Sequence, residues 1–174
     1  GFGVGTEPIV AALAAHGLSV LATDQAAEHA GAWGDSGQHA SAIQAVRRPD
    51  LCDPAQFDDL VSFRPVDMRS IPTDIRGFDV AWSSCCFEHL GSPDAGFDFV
   101  MESMRVLAPG GTAVHTTEID CDGGSLLEIG TVEHGDYACF YRRQDLKRLV
   151  TRLRTAGHVV HCNYRVSRKH PLET

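Results

Sequence analysis

Gly1-Phe2-Gly3-Val4-Gly5-Thr6, read together with Leu18-Ser19-Val20-Leu21-Ala22-Thr23-Asp24, decides the fold. Glycines at alternate positions let a backbone turn tightly and come close to a ligand that a Cβ would hold off. Pro8 stands where a helix begins, and Ile9, Leu13 and several alanines follow as its apolar set. Gly17 ends that helix, and Leu18 to Thr23 form a short buried strand that closes on an acid. A glycine turn, a helix, a strand and a carboxylate about twenty residues on is the physical plan of a nucleoside-cofactor site, the acid facing two ribose hydroxyls. Taken without Asp24, the three glycines leave a surface loop as the lesser alternative.

Outward from this unit the chain keeps alternating. Gln38 to Arg48 is expected to form a short helix ended by Pro49, after a turn at 33–37. Asp53-Pro54 opens a second helix, Ala55 to Val61, as N-cap and first helical residue. Val61 to Asp67 reads as a strand ending on another acid, where Asp67 can accept from an exocyclic amine and Met68 can pack on a ring face. A solvated strand-end acid and a core methionine describe the same two residues. Phe78 to Ser84 is the next strand, Cys85 to Leu90 a loop or helical turn, and Pro93 starts a helix with Phe97, Val100, Met101, Met104 and Leu107 at helical spacing. Ala108-Pro109-Gly110-Gly111 is expected to break it before a strand from Thr112 to Glu118. Residues 119–141 carry little pattern, Asp145 to Leu153 is amphipathic with Leu146, Leu149, Val150 and Leu153 inward, and His158 to Tyr164 reads as a last strand. Alternating strands and helices imply an α/β fold: a doubly wound, mostly parallel sheet with helices on both faces.

At 174 residues, one domain covering residues 1–174 is expected. A net charge of −8 speaks against a broad nucleic-acid surface. Nine of the fifteen Lys and Arg lie between 142 and 169, against one acid, Asp145; the basic helix face there reads either as solvated or as a contact for a phosphate or sugar nucleotide. No apolar run approaches the ~20 residues that span a bilayer, so no membrane association is expected. The six cysteines lack zinc-ligand spacing, so no metal is expected; reduced thiols in a cytoplasmic setting are, with Cys85 and Cys86 as buried small side chains. A glycine turn of this kind follows a strand, and none precedes Gly1. The expectation is a fragment lacking its first strand and its final one.

The order of these signals resembles a class I S-adenosylmethionine-dependent methyltransferase, of a bacterial small-molecule or saccharide-modifying subgroup. The glycine string looks like the family's first motif, Asp24 its ribose-binding acid and Asp67-Met68 its adenine-contacting pair. Phe78 to Ser84 and Phe87-Glu88-His89-Leu90 look like its fourth strand and following turn, and Arg105 to Gly111 is similar to its turn before the fifth strand. The resemblance implies S-adenosylmethionine as cofactor, held by Gly1, Gly3, Gly5, Asp24, Asp67, Met68, Ser83 and Ser84. It implies a small-molecule or saccharide acceptor. Alignment of nucleophile, methyl carbon and leaving sulfur is most of what the protein must supply. A weakly nucleophilic acceptor would need a base, for which His89 and Glu118 are the candidates; a structural histidine and a solvated acid are the plainer readings of the two. His115, within an apolar strand, reads as a satisfied core histidine, and Glu88 as a structural partner to the cofactor or a nearby amide. Two rivals share the glycine turn: an NAD(P)-dependent oxidoreductase or epimerase, whose fingerprint wants glycine or alanine where Thr6 stands, and a non-catalytic cofactor-binding module.

Overall fold

The computed structural model of the chain describes residues 1–29, 37–120 and 139–162. All but the last residue of the expected 33–37 turn, most of the 119–141 stretch and the end of the expected last strand lie outside them. Within them run α1 (Ile9–Ala15), β1 (Val20–Asp24), α2 (Pro54–Leu60), β2 (Val61–Pro65), β3 (Phe78–Ser84), α3 (Pro93–Ser103), β4 (Leu107–Thr116), β5 (Ile119–Asp120), β6 (Tyr141–Arg142) and α4 (Arg143–Thr155).

Local chemistry sets the helix ends. Asp53 accepts from the Ala55 and Gln56 amides at the start of α2, and Ser92 accepts from Ala95 at the start of α3, each with proline next in line. Asp145 reaches back to the Arg142 amide to start α4. Gly17 and Gly157, both left-handed, end α1 and α4.

β1 pairs parallel with β2, from Val20 opposite Val61 to Asp24 opposite Pro65. β3 pairs parallel with β4. Phe2 bridges the two halves, parallel to Thr23 on one side and Ser83 on the other. The order is therefore β2, β1, the 1–4 segment, β3, β4, all running one way. β5 and β6 form a separate two-residue pair.

Alternation along the strands feeds two cores. Val20 and Ala22 of β1 and Trp82 of β3 pack with α1 and α2, around Val10, Ala14 and Phe57. Leu21 and Ala81 point the other way, into a core with Phe97 and Val100 of α3 and Leu149 and Leu153 of α4. Helices thus cover both faces of a parallel sheet, the doubly wound α/β arrangement.

Three expectations change. The helix expected from Gln38 to Arg48 is only a 3-10 turn, Ile43–Val46, because Gln38 and Ala40 commit their backbone to other partners described below. Ala108 to Gly111 does not precede the strand but lies inside it: β4 starts at Leu107, and Gly110, at φ +85°, sits where the β3–β4 register shifts. A Cβ on Gly111 would stand 2.9 Å from the Phe78 carbonyl oxygen, so glycine lets the bulge lie flat on β3. Residues 158–162 form no strand, and the remaining two of the expected last strand lie outside the described residues.

Candidate active site

Ligands in open parallel sheets bind beyond the carboxyl ends of the strands. There the chain has a cavity of about 560 Å³, lined in part by Gly3, Gly5, Asp24, Asp67, Met68 and Ser84. Given the strand order, Asp67 and Met68 follow β2 at one end and Glu118 follows β4 at the other, with Asp24, the glycine turn and His89 between.

Asp24 organises the middle. It is 9% exposed. Its Oδ2 accepts from the Gly5 amide (2.9 Å) and the Ala40 amide (3.1 Å), and its Oδ1 from the Gln25 amide (2.8 Å). The residues after Gly37 thereby form a strap across the glycine turn. Thr6 donates its amide to Gln38 O and its hydroxyl to Gly37 O, and His39 Nε2 donates to Gln25 O at 2.7 Å. Gly5, at φ +53°, is required by the strap as well as by its own backbone, since a Cβ would stand 2.6 Å from Gln38 O.

Asp67 is held by Arg69, whose Nε and backbone amide both reach Oδ1 while Nη2 reaches Oδ2 at 2.9 Å. These bonds, the side-chain ones foremost, hold the Asp67 carboxyl below the usual carboxylate range. One lone pair on Oδ2 stays open for a donor. Met68 lines the cavity and also packs in the core.

At the far end, His89 sits on a 3-10 turn, Phe87–His89, and lines the cavity with Glu118. Glu88 between them is wholly buried and accepts from the Thr117 hydroxyl (3.0 Å) and the Glu118 amide (3.3 Å). It ties the His89 turn to the end of β4, the role of partner to a nearby amide.

Two expected cofactor contacts stand outside this lining. Ser83 is 1% exposed and points into the sheet, its hydroxyl on His115 Nδ1 at 2.8 Å. Adjacent strand residues face opposite sides, so with Ser84 at the cavity Ser83 points away from it. Gly1 lies against Trp82, whose indole occupies the space a Cβ would take. None of the basic residues of the α4 region lines the cavity; Arg152 pairs with Asp98 and Arg148 with Asp145.

Sequence reasoning missed His39, Gln38 and Arg69, which belong to no spacing pattern. It also misplaced Cys85. That residue is exposed, lines the cavity and holds φ +44°, a conformation uncommon outside glycine, whereas Cys86 is largely buried and its thiol is pushed up to about 12 by that burial. His115 is the satisfied core histidine expected, between Ser83 and Ser103. Among the described residues no group of three or more His, Cys, Asp or Glu is placed to hold a metal, and no helix is long and apolar enough to cross a membrane.

A family model described as a methyltransferase domain matches residues 1–115. Among solved structures, the DhpI–SAH complex shares 22% identity over 87% of this chain and 64% of that one, at a TM-score of 0.53. The DhpI–SAM–HEP complex shares 20% over 87% and 67%, also at 0.53. The CcbJ methyltransferase from Streptomyces caelestis shares 19% over 65% of this chain and 40% of that one, at 0.48. The chain therefore spans less than two thirds of CcbJ and of the DhpI–SAH chain. At such identities the likeness to DhpI is one of fold. No curated protein matches the chain.

Proposed function

The chain belongs to the methyltransferase domain family, and from that premise we propose that it transfers a methyl group from S-adenosylmethionine to a small-molecule or saccharide acceptor, at oxygen or nitrogen. The observation that carries the proposal is one cavity at the carboxyl ends of parallel strands, with the glycine turn, Asp24, Asp67 and Met68 along one part and His89 and Glu118 along the other. Its volume suits a nucleoside cofactor.

The residues present fit the cofactor's chemistry. Asp24 Oδ1 and Asp67 Oδ2 each keep an open lone pair, for a ribose hydroxyl and for the adenine amine, and Met68 adds an apolar surface to the same lining. Gly3, at φ +56°, lets the turn lie against Cys86, where a Cβ would approach to 3.0 Å. Ser84 completes the wall at the end of β3. When bound, S-adenosylmethionine supplies an electrophilic methyl carbon on a sulfonium. The chain's own part is to align the acceptor and remove its proton. His89 is the proposed base and Glu118 the second candidate, fixed relative to each other by Glu88.

The support from DhpI is the fold it shares together with the SAH and SAM–HEP named for its complexes. Calorimetric titrations with S-adenosylhomocysteine and with NAD test the reading. Saturable heat with the first and none with the second is expected. Binding of NAD alone would replace this proposal with the oxidoreductase one. Transfer of labelled methyl to a panel of sugars, amines and hydroxylated small molecules then identifies the acceptor.

A further inference from the structure

The balance of charge along the cavity decides which acceptors it admits. Carboxylates of Glu7, Asp24, Asp67 and Glu118 line it against a single guanidinium, that of Arg69. Arg69 is already committed: its Nε and Nη2 both close on Asp67, so the two charges cancel beyond β2. Asp24 is taken up with backbone amides. Glu118, on the wall it shares with His89, differs. Its backbone is fixed by Glu88 Oε1 and the Tyr141 amide, while its exposed carboxylate has no hydrogen bond or ion pair among the described residues.

No cation offsets it there. Glu88 is a second carboxylate at this end, wholly buried. Cys86 on the cavity wall feels it: burial foremost, with the Glu88 and Asp24 charges adding to it, pushes that thiol up to about 12. Arg142, opposite Asp120 in the β5–β6 pair, stands outside the lining. The described chain leaves this end at Asp120 and returns at Cys139, whose amide donates to Glu88 O at 2.8 Å. Residues 121–138 hold the acids Asp122, Glu128, Glu133 and Asp136 and no Lys or Arg. A phosphate, sulfate or carboxylate seated here would give up water and meet like charge. An ammonium would meet an unshared acceptor in a cleft that concentrates its field.

We infer that the acceptor carries a protonated amine, that Glu118 receives it, and that anionic acceptors are turned away by charge. The inference rests on the methyl-transfer reading above and narrows its acceptor class. Glu118 is then a specificity residue, and proton removal stays with His89.

Matched acceptors test it, each skeleton taken in ammonium, neutral and anionic form: glucosamine, glucose and glucose 6-phosphate; tyramine, 4-ethylphenol and 4-hydroxyphenylacetate. With labelled S-adenosylmethionine, the ammonium member of a methylated set should exceed the neutral one about tenfold in kcat/KM, with no transfer to the anion. Equal rates, or preference for the neutral or anionic member, would overturn the inference. Glu118→Gln should raise KM for the ammonium member about five- to tenfold, and Glu118→Lys should admit the anion. A fall in kcat with KM kept would make Glu118 a base instead, and an equal weakening of S-adenosylmethionine would assign the charge to the sulfonium; either result overturns the inference. If no set is methylated, sinefungin decides, an S-adenosylhomocysteine analogue with an amine-bearing carbon in place of sulfur. It should bind wild type at least threefold tighter than S-adenosylhomocysteine by calorimetry and lose that advantage in Glu118→Gln; equal binding, or an advantage that survives the substitution, would overturn the inference. Failure of wild type to bind S-adenosylhomocysteine would overturn the cofactor reading itself, an outcome distinct from a missing charge preference in a protein that binds.

Discussion

His115 makes the fold acid-sensitive in a defined interval. Ser103 donates its hydroxyl to Val100 O at 2.7 Å, so its oxygen accepts from His115 Nε2 at 2.9 Å, and Nδ1 is left to accept from Ser83. The ring thus bridges β3, β4 and α3 as one neutral tautomer, with the Phe87 and Phe99 rings edge-on to it. Burial pushes its pKa from 6.5 down to about 4. As pH falls through 6.5 the unfolded chain takes up a proton that the folded chain refuses until about pH 4. The stability is therefore complete above pH 6.5 and is lost on acidification. The slope is about 1.4 kcal/mol per pH unit, giving about 3 kcal/mol over the interval. For a domain of this size that is roughly 6–12 °C in Tm. Urea unfolding at half-unit steps from pH 7.5 to 4, on wild type and on His115→Gln, isolates it from the carboxylates, which both proteins share. Glutamine can still donate to Ser103 and accept from Ser83 but does not titrate here. The difference between the two proteins should open steadily below pH 6.5, and parallel curves would refute the assignment of the slope to His115.

Other substitutions test the packing around the cavity. Gly5→Ala places a Cβ in a left-handed conformation 2.6 Å from Gln38 O and should cost about 2–3 kcal/mol by urea unfolding, with weaker S-adenosylhomocysteine binding because the strap is displaced. Glu88→Ala leaves the Thr117 hydroxyl and the Glu118 amide without their buried acceptor and should cost about 2–4 kcal/mol; Glu88→Gln, which can serve both, should cost less than half as much in the same assay. Gly96→Ala drives a methyl onto Tyr141 Oη and to 2.7 Å from Phe87 O, so a Tm loss of several degrees is expected, smaller when Tyr141→Phe is combined with it.

The parts of the fold visible in the sequence are those that local chemistry dictates. Asp53-Pro54 and Ser92-Pro93 each place an N-cap acceptor directly before a proline at the first helical position, and the Phe97-to-Val100 stripe faces a core by periodicity alone. The glycine turn and Asp24 were legible because their spacing is set by one turn, one helix and one strand. The strap was not: its bonds join residues 14 to 32 positions apart, and alanines and glutamines around it look helical until Asp24 and Thr6 claim their backbone. Ser83 was misread because two adjacent strand serines were both aimed at the cavity, which the period of two forbids. Pro109-Gly110-Gly111 punctuates a turn in most sequences, and only pairing with β3 shows it to be a bulge. Gly1 is glycine for the sake of Trp82, a contact across two strands that no spacing reveals.

The central claim is that the cavity beyond β1 to β4 is the site of the methyl donor. A crystal structure of the protein grown with S-adenosylhomocysteine tests it most directly. The expected density has the ribose against Asp24, the adenine beside Asp67 and Met68, and the sulfur toward His89 and Glu118. Density for the ligand elsewhere, or in this cavity with the adenine at the His89 end, would contradict it.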